Sequence, residues 1–233
     1  MVNRDKDFVK WLGFYYADGR KGGYFSIVNT DPNLILFYLN VLKKLGIQPH
    51  QLKARIQISK NYKKIWEHKK LIEWWSKLTN IPEKNFWEIR WVKTKKRYKR
   101  NRKPSPETGE IEIAYLNRGF LREVNKKIQE ILKTNDKQLI AEFLKGVFAG
   151  DGFVKLRKNG KLQEVRIGVK YEKETIYQLL KNVGISPGKP QKFDLPIYGR
   201  KNFEIIKELQ LLELSHHKLE LFLNGLKTLC NGE

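Results

Sequence analysis

Two acidic residues, Asp18 and Asp151, follow similar apolar segments in the two halves of the chain, and each is followed by glycine. The apolar residues before them have helical spacing. Asp-Gly is typical of a helix end, because glycine accepts the left-handed conformation found just beyond it. The C-terminal end of a helix carries about half a negative charge, so a carboxylate there costs up to ~1 kcal/mol. A bound cation would remove that cost.

The oxygen atoms at these two helix ends are of the kind that Mg²⁺ prefers. Asp18 and Asp151 supply carboxylates, and the residues before them, Ala17 and Gly150, have backbone carbonyls without helical partners. The sequence therefore predicts a magnesium site formed by these four residues. Mn²⁺ is an alternative ion, because it binds the same oxygen ligands.

Small residues at four-residue spacing precede both aspartates. Gly13 and Ala17 lie four apart in residues 11–19 (WLGFYYADG), as do Gly146 and Gly150 in residues 144–152 (LKGVFAGDG). Residues four apart share one helix face, and a face without bulk lets two backbones approach closely. We expect the two helices to pack together and to bring the aspartates near each other.

The elements that position these helices begin, in the first half, with three helices and three strands of period two. The helices are predicted over residues 5–18, 31–46 and 62–78. The strands are predicted over residues 53–59, 87–92 and 110–116, with Trp87, Ile89 and Trp91 on the buried face of the second strand. Only about eleven residues separate Asp18 from Thr30, so the first hairpin strand is expected to be very short or missing.

The second half repeats this order. A helix over residues 137–151 is followed by strands over 153–157 and 162–171, which an Asn159-Gly160 turn joins. A helix over residues 172–183 ends at Gly184, and a strand over 193–197 and one or two helices complete the chain. The repeat predicts an α+β protein with two pseudo-symmetric αββαββα-like halves, residues 1–133 and 134–233. Each antiparallel sheet is expected to have one buried face and one solvent-exposed face, the wet face.

The charge of the chain indicates a polyanionic partner. The 233 residues include 47 Lys and Arg against 25 Asp and Glu, which gives a net charge of +22. Nucleic acid is the leading candidate. No apolar run approaches the ~20 residues of a membrane span, so no membrane partner is expected. The single cysteine excludes a disulfide framework and suits a reducing intracellular compartment. The expected location is the cytoplasm, in association with the nucleoid, with an organelle as the alternative.

Basic and amide side chains at polar strand positions are predicted to contact DNA, because a two-stranded ribbon fits the major groove and reaches base edges there. The residues predicted to do so from the strands and their ends are Lys53, Arg55, Gln57, Arg90, Lys155, Arg157, Arg166, Lys170 and Lys192.

A strongly basic loop follows the second strand of the first half. Ten Lys and Arg residues and one acid lie between Lys84 and Lys103. We expect this loop to contact phosphates, and a solvated charge run is the alternative. The predicted contacts are Lys96, Arg97, Lys99 and Arg100.

The two motif segments resemble those of the LAGLIDADG homing endonucleases, in the single-chain form that carries both copies. Residues 17–19 (ADG) match the motif ending, and residues 150–152 (GDG) match it with glycine in place of alanine. The upstream leucine and glycine positions also match, apart from Trp11. Extended to nearly the whole chain, the resemblance implies that the motif helices pack at the interface between the halves. It also implies that the antiparallel sheets form a DNA-binding saddle.

The resemblance further implies an Mg²⁺-dependent endodeoxyribonuclease that makes double-strand breaks by phosphodiester hydrolysis. Asp18 and Asp151 would bind the metal ions, which acidify a water molecule and stabilise the leaving oxygen. Lys170 is a candidate for the basic residue beside the active site, with Lys95, Lys155 and His217 as alternatives.

The expected partner is a long double-stranded DNA target, and the expected role is intron homing. The chain is expected to be a monomer, because the duplication already supplies a two-fold partner. Two alternatives have the same fold. One is an intron maturase that binds structured intron RNA, and the other is a cleavage-inactive DNA-binding regulator.

Overall fold

The computed structural model describes residues 5–20, 22–63, 65–92, 108–168 and 172–230, and it confirms an α+β fold. The helices are α1 (Lys6–Asp18), α2 (Pro32–Lys44), α3 (His68–Thr79), α4 (Arg118–Leu132), α5 (Lys137–Asp151), α6 (Lys173–Asn182), α7 (Arg200–Glu208) and α8 (His216–Cys230). The strands are β1 (Phe25–Asn29), β2 (Lys53–Ser59), β3 (Phe86–Val92), β4 (Glu110–Tyr115), β5 (Gly152–Leu156), β6 (Leu162–Gly168) and β7 (Asp194–Ile197).

The chain divides into two compact units. The four-stranded unit contains Gly19–Arg122, and the three-stranded unit contains Met1–Asp18 together with Glu123–Glu233. The motif helices α1 and α5 therefore belong to the same unit. The predicted halves, residues 1–133 and 134–233, are defined by sequence repetition and stay a prediction. No helix in the described part of the chain is long and apolar enough to cross a membrane.

The sheet of the four-stranded unit has the order β1-β4-β2-β3. β4 is antiparallel to both of its neighbours, whereas β2 and β3 run parallel. The expectation of purely antiparallel sheets was therefore wrong for this pair. The physical reason is α3, which returns the chain to the same end of the sheet, as any parallel connection requires. The sheet's buried face carries Ile56, Ile111 and Ile113.

Two details of this unit differ from the predicted elements. α3 begins at His68 rather than near residue 62, because a 3₁₀ turn over Lys60–Tyr62 precedes it. Trp87 was predicted to be buried, but it is 44% exposed. The register between β2 and β3 shifts at this point, so that Ala54 pairs with Phe86 and Arg55 with Glu88, and Trp87 is left between them. The expected short first strand is confirmed, because only an isolated bridge joins Gly19 to Ile27.

The three-stranded unit has the antiparallel order β5-β6-β7. Val154, Val165 and Ile167 lie on its buried face, and α5 and α8 pack against β5 and β6. The predicted strand over 162–171 ends at Gly168, and residues 169–171 lie outside the described part of the chain. The predicted end of α6 at Gly184 is confirmed, since this glycine has φ +90°.

Candidate active site and nucleic-acid interface

The motif helices α1 and α5 approach to backbone contact, which confirms their predicted packing. A Cβ added at Gly13 would lie 1.9 Å from the carbonyl oxygen of Phe143. One added at Gly146 would lie 1.9 Å from the carbonyl oxygen of Lys10. Ordinary carbon–oxygen contacts are about 3.3 Å or longer, so only glycine permits this spacing.

The C-terminal ends of these helices lie side by side. A Cβ added at Gly150 would lie 2.6 Å from the Ala17 Cβ and 3.2 Å from Oδ1 of Asp18. The Asp18 carboxylate therefore adjoins the backbone of α5 one residue before Asp151. Asp18 is half-buried and Asp151 is exposed, so both carboxylates belong to one surface region of the three-stranded unit.

A tyrosine and a further carboxylate join this region. The Tyr16 hydroxyl donates a hydrogen bond of 2.9 Å to Oε2 of Glu172. Burial raises the pKa of Tyr16, and the Glu172 hydrogen bond and the charges of Glu172 and Asp151 raise it further. Tyr16 is therefore a neutral donor beside the two carboxylates. Sequence reasoning missed Glu172, which has a left-handed φ of +54° and meets α1 across 156 residues.

Lys218 on α8 binds the last turn of α5. Its ammonium group donates to the carbonyl oxygens of Phe148 at 2.9 Å, Ala149 at 2.5 Å and Gly150 at 3.1 Å. These carbonyls belong to the last turn of α5, at the negative end of the helix dipole, and the Phe148 carbonyl also accepts from the backbone N–H of Gly152. The Lys218 ammonium thus offsets part of the negative charge at the end of α5. The sequence predicted only a metal ion in this role. Sequence reasoning missed this residue, because no local pattern links α8 to the motif.

The donor set at the two helix ends fits a hard divalent cation. Asp18 and Asp151 provide carboxylate oxygens, and the carbonyls of Ala17 and Gly150 lie beside them, although the Gly150 carbonyl also accepts from Lys218. Within the described ranges, no group of three or more His, Cys, Asp or Glu is arranged for a metal. Mg²⁺ is nevertheless compatible, because it keeps several waters and needs only one or two protein carboxylates.

In the four-stranded unit, carboxylates contact Arg55, Gln57 and Arg90 among the predicted DNA-reading side chains. Lys53, Arg55 and Gln57 lie on one face of β2. The Arg55 side chain is only 12% exposed, and its guanidinium binds Glu112 closely and lies 3.3 Å from Oε2 of Glu88. Gln57 donates to Glu110.

On the neighbouring strand, the side chain of Arg90 on β3 lies 3.2 Å from Oε1 of Glu88. The exposed ring of Trp87 lies 6.0 Å from the Arg55 guanidinium, so this tryptophan stands beside the paired charges.

In the three-stranded unit, Lys155 and Arg166 share one carboxylate. Their nitrogen atoms lie 3.0 Å and 2.8 Å from Oε1 of Glu164. Arg166 also contacts Asp194 at 3.1 Å. Burial alone would raise the pKa of Glu164, but hydrogen bonds from Arg166, Lys155 and Tyr198 outweigh it and lower the pKa.

The remaining predicted contacts are more peripheral or lie outside the described residues. Arg157 is exposed after the end of β5, and the Lys192 ammonium lies 5.2 Å from the ring of exposed Phe193. The predicted contacts outside the described part of the chain are Lys96, Arg97, Lys99, Arg100 and Lys170, together with the alternative Lys95.

Sequence reasoning described the wet strand faces as basic and overlooked their acids. Glu110 and Glu112 occupy polar positions of β4, and Glu164 occupies the matching face of β6. The alternation of glutamate and isoleucine over residues 110–113 was a signal for the first two. Each is directly opposite a basic or amide side chain, which only the strand register reveals.

The sequence matches no family model and no curated protein, whereas solved structures give clear matches. The N-terminal LAGLIDADG domain of DUF199/WhiA is 15% identical, with 94% of this chain and 89% of that chain covered and a TM-score of 0.52. I-DmoI in complex with DNA and Ca is 14% identical, with 93% and 96% covered and a TM-score of 0.51. The chain has the LAGLIDADG fold.

The matched structures are different proteins, and this chain covers different shares of their lengths. Full-length DUF199/WhiA from Thermatoga maritima is 14% identical with a TM-score of 0.53, and the alignment covers 100% of this chain but 62% of that one. I-DmoI is described as a homing endonuclease. Because one fold can carry different functions, the function of this chain has to be argued from its site.

Proposed function

We propose that this protein is a site-specific DNA endonuclease that makes double-strand breaks with the help of divalent metal ions, Mg²⁺ in the first place. The close approach of the two motif helix ends carries the proposal, because it brings the Asp18 carboxylate against Gly150, next to Asp151. A duplicated acidic helix end has no evident use in binding DNA alone. The net charge of +22 suits a long polyanionic target.

In the proposed reaction, Asp18, Asp151 and the carbonyls of Ala17 and Gly150 would hold the metal ions. Mg²⁺ bound there would supply a more acidic water and would stabilise the leaving oxygen of the phosphodiester. Lys218 fixes the last carbonyls of α5, so that Asp151 keeps its position when phosphates approach. Tyr16, neutral at physiological pH, donates to Glu172 and so holds this additional carboxylate in a fixed orientation.

The wet faces of the two sheets are proposed to bind the target, with Arg90, Lys155 and Arg166 among the contacts. Lys170 is proposed as the basic residue beside the active site. We also propose that the protein acts as a monomer in an intracellular compartment and serves intron homing. Elution from a sizing column at twice the mass of the 27.6 kDa chain, without DNA, would contradict the monomer.

The proposed cleavage is tested with Asp18→Asn and Asp151→Asn in parallel. Each variant and the wild type are incubated with Mg²⁺ and a genomic or randomised DNA library, and the new ends are sequenced. Asp136→Asn is the matched control, because it removes one charge from the N-cap of α5 while asparagine still caps. We expect Mg²⁺-dependent double-strand cuts at one long site from the wild type and the control.

The two motif variants are expected to lose the double-strand cut and to leave at most single-strand nicks, with a rate loss of ~10²-fold or more. This magnitude is comparable to removing one electrostatic stabiliser from an active site. Undiminished cleavage by both variants would show that the motif aspartates do not carry the reaction. Tight, salt-sensitive DNA binding without cleavage by the wild type would favour a regulator.

Exposed aromatic side chains on the strands favour RNA as a second candidate partner. Trp87 on β3 is 44% exposed, and Phe153 on β5 is 55% exposed and directly opposite Arg166. Aromatic side chains on a sheet surface stack unpaired bases in RNA-binding proteins. Competition between duplex DNA and a folded intron RNA separates the two. Preferential RNA binding without DNA cleavage would support a maturase.

A further inference from the structure

Each sheet has one buried glutamate on an interior strand, on the face that otherwise carries polar and exposed side chains. Glu112 on β4 is 3% exposed, and Glu164 on β6 is 1% exposed. Each is paired directly across an antiparallel ladder with a basic residue, Glu112 with Arg55 and Glu164 with Lys155. Directly opposed side chains on one face lie in contact distance, so the two units repeat the same arrangement.

Glu112 binds two cations, one with a largely buried side chain, the covered cation, and one with an exposed side chain, the open cation. The covered cation is Arg55, whose side chain is 12% exposed. The open one is Arg20, whose Nε lies 3.3 Å from Oε1 and whose side chain is 46% exposed. The Tyr24 and Ser26 hydroxyls also lie 3.3 Å from Oε1 and donate to it.

Glu164 also binds one covered and one open cation, but with the roles exchanged, because here the cross-strand partner is the open one. The more covered cation is Arg166, 24% exposed, and the open one is Lys155, whose side chain is 43% exposed. The Tyr198 hydroxyl also hydrogen-bonds to Glu164. Four groups thus converge on Glu112, and three converge on Glu164.

These buried carboxylates are not explained by stability. An apolar side chain of similar size in place of a buried ion pair is commonly neutral or stabilising. What a buried carboxylate does supply is a fixed orientation for the cations around it. A charge-assisted hydrogen bond restricts the long Arg or Lys side chain, and restriction before binding reduces the ordering cost at an interface.

We propose that Glu112 and Glu164 are positioning residues for sequence reading, which hold Arg20 and Lys155 so that they donate to guanine edges in the major groove of duplex DNA. Guanine offers paired acceptors there, and a preoriented cation discriminates them from other bases. This inference rests on the DNA binding in the proposed function and adds the residues that would set base preference.

The test compares Glu112→Gln and Glu164→Gln in the full chain. Matched controls are Glu67→Gln and Glu204→Gln, which remove the same charge from exposed helical ion pairs in the same two units. Each protein is equilibrated with a randomised DNA duplex library without divalent metal, so that binding is read without cleavage. Bound sequences are then counted at every position of the selected site.

Each buried variant is expected to lose about 5- to 150-fold of its base discrimination, the range of one good base contact. The loss should be confined to one contiguous group of positions, different for the two variants. Affinity for unselected duplex should stay equal or rise, because one negative charge is gone. The two controls should keep the full preference. Arg20→Gln and Lys155→Gln should lose preference at the same positions as the matching glutamate variant.

Unchanged base preference in folded variants would overturn this inference and leave the endonuclease proposal intact. A uniform weakening at all positions would also overturn it, since that is the result of a merely structural role. If the glutamine variants fail to fold, Glu112→Asp and Glu164→Asp keep the charge, shorten its reach and carry the same comparison. A wild type that enriches no sequence would overturn the inference together with the site-specific function.

Discussion

Substitution of Gly146 by alanine tests the closest contact between the motif helices. The added Cβ would lie 1.9 Å from the carbonyl oxygen of Lys10 and 2.4 Å from the backbone nitrogen of Phe14. Both neighbours are backbone atoms in the middle of α1, so no side-chain rotation can relieve the clash. Restoring a carbon–oxygen distance of about 3.3 Å requires a separation of ~1.4 Å, the difference between 3.3 and 1.9.

The cost of this separation competes with the gain in helix propensity. Alanine stabilises a helix interior by about 1 kcal/mol relative to glycine. Forcing a methyl group into a packed contact costs about 1–3 kcal/mol. A gap of about 0.5–1 Å already removes a quarter to a half of the dispersion energy of each facing atom pair, and this separation is larger. The overpacking cost exceeds the propensity gain by up to about 2 kcal/mol. The lost dispersion adds to this difference, so we expect a net destabilisation of about 1–3 kcal/mol, which lowers Tm by roughly 2–12 °C for a chain of this size.

Calorimetry measures Tm, and the cleavage assay measures activity on the same protein. Gly22→Ala is the control, because its added Cβ meets nothing within 4 Å, and its Tm should stay close to that of the wild type. We expect Gly146→Ala to lose cleavage more steeply than stability, since the same separation moves Asp18 away from Gly150. A Tm equal to or above that of the wild type would refute the backbone contact.

Three further predictions follow from the charges. Lys218→Met should destabilise the protein by about 1.5–3 kcal/mol through the loss of charged hydrogen bonds to α5, whereas Lys227→Met on the exposed side of α8 should change Tm little; equal effects in thermal melts would contradict the role of Lys218. The pKa of Glu164 is lower in the folded state than its ordinary value of 4.5, so the stability that its ionised form contributes is present above pH 4.5 and is lost as the pH falls through the folded pKa. In urea titrations at several pH values, Glu164→Gln should reduce this loss of unfolding free energy at low pH, and an unchanged loss would contradict the contribution of Glu164. Neutral glutamines in place of Lys96, Arg97, Lys99 and Arg100 should weaken DNA binding similarly on all sequences and lower the salt slope by about 0.9 per lost phosphate contact; a changed base preference in the binding selection would contradict the loop assignment.

The motif helices were predictable because their signals are local. Each motif helix has two small residues four positions apart, Gly13 and Ala17 on α1 and Gly146 and Gly150 on α5. That spacing alone gives each helix one face without bulky side chains. The glycine ends of α2 and α6 were predictable for the same reason, since a positive φ at Gly46 and Gly184 depends on the residue type.

The parallel pairing of β2 and β3 and the exposure of Trp87 were not predictable from the residues. The alternation of apolar and polar residues over 87–92 assigns each side chain to the correct face of the sheet only if the pairing of β3 with β2 continues without a shift. The shift between Ala54 and Arg55 breaks that register and moves Trp87 out of the buried row. Register is a property of two strands, so a pattern within one strand could not reveal it.

The partners of the charged residues were hidden for a related reason. Lys218 meets Gly150 across 68 residues, and Tyr16 meets Glu172 across 156. Charge counting found the excess of cations but not which of them are neutralised. Arg55 illustrates the difference, since it is basic in the sequence but is held between two carboxylates in the fold.

The close packing of the motif helices also explains why metal and DNA would bind together. Because glycine lets α1 and α5 run in contact, their negative C-terminal ends lie side by side and carry Asp18 and Asp151. Lys218 neutralises part of this charge, on the α5 side. A DNA phosphate brought to the remaining carboxylates would meet repulsion, whereas a divalent cation would attract both. Under the proposed function, each ligand therefore lowers the electrostatic cost of binding the other at the two motif aspartates.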